Sequence, residues 1–289
     1  MANKGVGNTA LGAAVCRLIE QYEPQPTRLF DDPVVKNLVG TPVRIMMQIG
    51  SMRNFTRQQT DAVLQGLYGA QICRTKYLDD VVQNARSQGV GQLVILGAGL
   101  DTRPYRLSGI GRLKIFEVDL PAAQEDKKKK LQGYFELLPA NVTFIPIDFD
   151  SQTLESVFAG TTFAPALPAV FIWEGVTQYI SEESVRQTLT FIGKSAPGSV
   201  LAFTYVLKSV IEGRSQIPGA DKMTERVARS NAPWIFGLDP STVADTLKPY
   251  HLTLIADVGN RDYQEKYLKP VGRTLFVSEV ERIAHAVVE

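Results

Sequence analysis

Four acids stand through the middle of the sequence, each closely following a short apolar run. Asp101 follows QLVILGAGL, Asp119 follows LKIFEV, Asp148 follows VTFIPI and Glu174 follows PAVFIW. A carboxylate at the end of a buried strand either caps the next helix or receives a hydroxyl or a cation. One such acid is ambiguous; four in succession point to a shared site. The first run also ends in Gly97-Ala98-Gly99, a turn that lets a ligand approach the backbone at the carboxyl edge of an open α/β sheet, where nucleotides bind. The dinucleotide fingerprint requires a third glycine, but that position is Thr102, and Asp101 would repel a pyrophosphate. A Walker loop fails as well, since the glycine required before Gly193-Lys194-Ser195 is Thr188. A nucleoside carrying a cation fits better, and S-adenosylmethionine is one. Asp119, 22 residues beyond Gly97, is then positioned for the two ribose hydroxyls and Asp148 for the adenine amino group.

The elements that must hold these residues follow from the apolar pattern. Strands are expected at about 92–97, 113–118, 142–147, 168–173 and 199–205, separated by helix-compatible stretches, which is the rhythm of a doubly wound, mostly parallel α/β sheet. Before them, Leu11, Ala14, Val15, Leu18, Ile19 and Tyr22 recur at helical spacing behind Thr9 as N-cap, and residues 60–88 read as one helix. After them, residues 207–236 delay the next strand by an extra element. A helix at 240–249 and strands at 252–258 and 273–279 then follow, the strands forming an edge hairpin.

Composition narrows the partners. The chain has 289 residues, 44% of them hydrophobic and 21% charged, with a formal charge of +1, so no basic field draws nucleic acid. No apolar run is long enough to span a bilayer. The expected partner is a small molecule. Cys16 and Cys73 form no C-x-x-C pair, which argues against zinc or a disulfide framework and for a reducing, cytoplasmic setting. No metal-ligand cluster is visible, an oligomer is open, and Lys127 to Lys130 read as a solvated helix face.

The segments LGAGLDTRPYRL (96–107), FEVDLP (116–121) and WEGVTQYI (173–180), the strand end at Asp148 and the closing GRTLFVSEVER resemble the leucine carboxyl methyltransferase family of S-adenosylmethionine-dependent enzymes. The resemblance runs from about residue 27 to the end. It implies a single methyltransferase domain on a seven-stranded, Rossmann-like sheet. A helical cap would occupy 1–88, the cofactor core 89–206, a helical lid 207–236 and closing strands 237–289. It further implies that Arg74 pairs with the cofactor carboxylate and that Gly97 and Gly99 line its methionine portion, with Asp101 beside them. Asp119 takes the ribose, Asp148 and Phe149 hold the adenine, and Glu174 lies near the amino group or sulfonium.

Methyl transfer is an in-line displacement in which the protein chiefly orients and desolvates. An alcohol acceptor needs a base, whereas a carboxylate is already ionised at neutral pH. The two histidines, His251 and His285, fall late in the chain and away from the early strand ends. A small organic acid is therefore the favoured acceptor, with Glu174 and Tyr179 as candidate catalytic groups. Tyr179, Trp234 and Phe236 are candidate pocket walls, and Arg28 or Arg261 candidate carboxylate anchors. A hydroxyl O-methyltransferase, an NAD-dependent oxidoreductase and a non-catalytic binding module stay open as alternatives.

Overall fold

A computed structural model describes residues 3–149, 151–229 and 232–289 of the chain. Its elements in order are α1 (Asn3–Glu20), α2 (Gly50–Val63), α3 (Leu67–Ser87), β1 (Gln92–Leu96), α4 (Arg103–Arg106), β2 (Lys114–Asp119), α5 (Pro121–Gln132), β3 (Val142–Pro146), β4 (Ala169–Trp173), α6 (Glu182–Gly193), β5 (Val200–Val206), α7 (Ala220–Ala228), β6 (Leu252–Val258) and β7 (Glu281–Val288), with short helical turns between. The seven strands form one sheet in the order β3-β2-β1-β4-β5-β7-β6. Pairing is parallel from β3 through β5, and β7 runs antiparallel to both of its neighbours.

The central strands are apolar, apart from Gln92 at the start of β1, because both faces are covered: β1 and β4 are buried at every position. The period-two alternation sends Leu93, Ile95, Val170 and Ile172 to the face packed by α1 and α3. Val94, Leu96, Phe171 and Trp173 go to the opposite face, against α6. Large side chains such as Trp173 and Phe116 are wholly enclosed, each contributing about 1.5–3 kcal/mol by burial.

Four sequence expectations are corrected. The stretch 273–279 is not a strand; the last strand is β7, at Glu281–Val288, whose alternating IAHAVV pairs β5 on one side and β6 on the other. Residues 276–278 instead lie on the start of α3, where the Ser278 amide donates to the Gly66 carbonyl at 3.0 Å and a Cβ on Gly66 would meet Ser278 N at 2.6 Å. Second, the helix expected over 60–88 is broken between α2 and α3, where Gly66 takes a left-handed φ of 79°. Third, α1 begins at Asn3, so Thr9 lies inside it and does not cap it. Last, Lys127 is only 1% exposed: its ammonium lies 2.7 Å from Glu117 Oε2 beneath the glycine turn, while Lys128 and Lys130 make surface pairs with Glu125 and Asp126. The segment 207–236 forms a short helix, Lys208–Ile211, followed by α7; residues 230 and 231 lie outside the described residues.

Candidate functional site

At the carboxyl ends of β1 to β4 lies a cavity of about 520 Å³, within the ~300–1,000 Å³ range of small-ligand pockets. Gly97 and Gly99 reach it from β1, Asp119 from β2, Asp148 and Phe149 from β3, and Glu174 from β4. Gly97 turns back at φ 68°, and a Cβ there would sit 2.2 Å from Val176 Cγ2, so the turn admits only glycine without a shift of its neighbour. Its amide donates to the Val118 carbonyl at 2.8 Å, binding the turn to β2. The other walls come from α1 (Ala13, Cys16), the C-terminal end of α2, Arg74 of α3 and Met223 of α7.

Asp119 accepts the amides of Gly99 and Leu120. Burial raises its pKa above the ordinary value, although those two amides pull the other way. Glu174 behaves oppositely. Its burial disfavours charge, but the guanidiniums of Arg103 and Arg74, at 2.7 Å each, outweigh that penalty and hold the carboxyl well below its usual range. Asp101 is likewise lowered: burial opposes ionisation, and Arg103 overrides it.

These pairs belong to one continuous chain of alternating charges: Arg17, Asp32, Arg106, Asp79, Arg103, Glu174, Arg74 and Glu281, with Asp101 branching from Arg103. Its carboxylates outnumber its guanidiniums by one. Arg103, 2% exposed, is the hub, touching Asp79, Asp101 and Glu174 and donating to the Thr75 carbonyl. Hydrogen-bonded to one another, these side chains are held in place before any ligand arrives, as a preorganised site requires. Cys16, in the wall, has its thiol pushed up to about 12 by burial and stays neutral at pH 7.

The structure brings Arg74, Gly97, Gly99, Asp101, Asp119, Asp148, Phe149, Glu174, Tyr179 and Trp234 to the same cavity. It leaves out three expected residues. Arg28 is turned toward Asp31 and the Glu23 carbonyl, Phe236 is packed into the core under β4 and β5, and Arg261 is exposed beside β6. Residues not anticipated include Arg17, Gln178, Arg226 and Glu281 in the wall, and Arg103 behind it. Among the described residues no group of three or more His, Cys, Asp or Glu side chains could hold a metal ion, and no helix is long and apolar enough to cross a membrane.

The donor set fits S-adenosylmethionine. A glycine turn gives close backbone approach, an acid ends each of β2, β3 and β4, and the excess of carboxylate suits an ammonium and a sulfonium.

The leucine carboxyl methyltransferase family model matches residues 10–193. A Frankia alni protein described as a candidate S-adenosyl-L-methionine-dependent methyltransferase is 34% identical over 205 residues, 70% of this chain and 69% of that one. A Mycobacterium tuberculosis protein of the same description is 33% identical over 211 residues, 71% and 68% of the two chains. A third, from Streptomyces coelicolor, is 34% identical over 152 residues; that match spans about half of each chain, 52% and 53%. Among solved structures, a candidate methyltransferase from Thermobifida fusca shares the fold at a TM-score of 0.58, with 16% identity over 83% of this chain and 89% of its own.

Proposed function

This chain belongs to the leucine carboxyl methyltransferase family of S-adenosylmethionine-dependent methyltransferases, and from that premise we propose that it esterifies the carboxylate of a small-molecule acid. The observation that carries the reading is the composition of the wall. Among the described residues it contains no histidine and no lysine, and Glu174, the acid expected to act in catalysis, is clamped ionised between two guanidiniums. A carboxylate so lowered is a weak base, unsuited to taking a proton from an alcohol. An acceptor that arrives ionised needs none.

The wall also offers a cation. Arg17 is paired with Asp32 and Arg74 with Glu174 and Glu281, whereas Arg226 of α7 has no carboxylate within salt-bridge distance among the described residues. Arg226 thus supports the anchoring role that Arg28 and Arg261 are too distant to fill. When bound, S-adenosylmethionine supplies an electrophilic methyl, which the acceptor oxygen takes as the carbon–sulfur bond breaks to a neutral thioether. Arg74, Asp119, Asp148 and Phe149 are the residues that would hold it. Glu174 and Asp101 present negative charge to the cationic end, and the apolar wall excludes water. Tyr179, also in the wall, supports the second reading, transfer to a hydroxyl, for which it is the available proton relay. Organic acids incubated with methyl-labelled cofactor separate the two: an ester releases its label in mild alkali and an ether keeps it.

Histidine should be dispensable. His251 is exposed at φ 57°, and His285 sits in β7 with its Nδ1 3.3 Å from the Tyr77 hydroxyl; neither lines the cavity. Burial, with Lys266 nearby, lowers the His285 pKa, so it is neutral at pH 7. The double variant His251→Asn, His285→Gln should retain turnover within about twofold, Asn being chosen because it tolerates the left-handed region. Activity lost by a variant that still binds cofactor would contradict the base-free mechanism.

We also propose that residues 207–236 gate the cavity, since Met223, Arg226 and Trp234 enter its wall from this segment alone. Amide exchange across α7 should slow at least several-fold when S-adenosylhomocysteine is added. Equal rates with and without it would argue for a fixed wall.

A further inference from the structure

Arg74 and Glu281 meet in the cavity wall with one polar atom each to spare. Arg74 donates from Nε to Glu174 at 2.7 Å and from Nη1 to Glu281 Oε1 at 2.6 Å, which leaves its Nη2 without a hydrogen bond among the described residues. Glu281 Oε2 is likewise unbonded. Neither atom is enclosed, because the side-chain atoms that are both buried and unpartnered belong to Glu117, Trp173, Gln178, Trp234 and Arg273. Solvent therefore reaches both. The two side chains are 8% and 21% exposed, and Nη2 borders the space over Gly175, another wall residue, where an added Cβ would lie 3.9 Å from it. Since a single 2.6 Å ion pair joins their neighbouring atoms, the open donor and the open acceptor stand only a few ångströms apart.

The other acids of the charge chain that border the cavity have no oxygen to spare. Glu174 Oε1 receives Arg74 and its Oε2 receives Arg103, while the two oxygens of Asp101 take the Arg103 amide and guanidinium. We infer that Glu281, not Glu174, receives the α-ammonium of S-adenosylmethionine, while Arg74 Nη2 receives the carboxylate beside it. The two charged groups of an α-amino acid share one carbon, so a guanidinium and a carboxylate already joined as a pair can meet both at once. Charge balance agrees. The chain of ion pairs holds one carboxylate in excess, and the cofactor, with an ammonium, a sulfonium and a carboxylate, brings one net positive charge to it. The inference concerns the cofactor and holds whichever acceptor is methylated.

Calorimetry with three ligands tests it: S-adenosylhomocysteine, its desamino analogue, which lacks only the ammonium, and methylthioadenosine, which lacks the whole amino acid. Wild type should bind S-adenosylhomocysteine about tenfold to a hundredfold more tightly than the desamino analogue, as a hydrogen bond between charged groups requires. In Glu281→Gln, which keeps an oxygen for Arg74, that preference should fall to within about threefold, with methylthioadenosine bound as in wild type. A preference that survives this substitution would return the ammonium to another acceptor and overturn the assignment. Equal weakening of S-adenosylhomocysteine and its desamino analogue would show that Glu281 only orients Arg74, and would overturn it too. So would a wild type that does not distinguish the two ligands, a result that needs no variant. If Glu281→Gln binds no methylthioadenosine, Glu281→Asp replaces it; this shorter side chain should lose roughly fivefold or more of the preference, and an unchanged preference would overturn the assignment.

Discussion

Asp119→Ala is expected to weaken S-adenosylmethionine binding by about 2–4 kcal/mol, roughly 30- to 1,000-fold. The carboxylate stands at the end of β2, half-buried at the cavity wall, and its own protein partners are the two amides of Gly99 and Leu120. Each oxygen that receives an amide keeps acceptor capacity for a ribose hydroxyl. Asp119→Asn, which retains one carbonyl oxygen and no charge, should fall between Ala and wild type. Calorimetric titration with the cofactor measures all three, and alanine binding at wild-type strength would remove Asp119 from the ribose. A thermal melt run beside it separates loss of a ligand contact from loosening of the glycine turn.

Arg103→Ala should be the most damaging single substitution in the charge chain, costing about 3–5 kcal/mol of stability and roughly 6–20 °C in Tm. Removing this guanidinium leaves Asp79, Asp101 and Glu174 crowded in a low-dielectric interior with less positive charge among them. Arg103→Lys keeps the charge but cannot span three carboxylates, so it should recover only part of the loss. The same pairing has a pH signature. The folded-state pKa of Glu174 lies below its ordinary value of 4.5, so its stabilising contribution is present above that value and is lost as the pH falls from there toward the folded pKa. Wild-type stability should therefore decline on acidification below about pH 5, and Arg103→Ala should flatten the decline. Chemical denaturation across this range is the measurement. Equal slopes in the two proteins would deny the pairing its energetic role.

The parallel half of the sheet and the acids that border the cavity were legible in the sequence because buried strands are continuous apolar runs and the acids stand at their ends. The alternating charge chain was not. Its partners are separated by up to 207 residues, as for Arg74 and Glu281, and no local periodicity encodes such a meeting. Lys127 was hidden by its neighbours, since four consecutive lysines look alike although only one turns inward over Glu117. Near the end of the sheet, LFVS, within the strand expected at 273–279, and IAHAVV beyond it share an apolar character that does not tell them apart. What distinguishes them is the open hydrogen-bonding edge of β5, which accepts the second, and the notch at Gly66 and Gly69, which takes the first. Arg28 and Arg261 carry the charge that an acid's anchor needs, but charge does not say which way an arginine faces.

The last of the sheet's seven strands in sequence order, β7, is inserted between β5 and β6, and its first residue, Glu281, closes the charge chain on Arg74. The order of synthesis and the order of assembly therefore differ. While the ribosome still holds residues 281–288, β5 and β6 have no ladder between them and Arg74 lacks one of its two carboxylates. The emerging protein must wait with an open sheet edge, the condition that invites chaperone capture or pairing with a neighbouring nascent chain. Ribosome-stalled chains should gain cofactor-dependent protease resistance only once β7 has cleared the exit tunnel. Resistance at shorter lengths would show that the cofactor edge assembles without it.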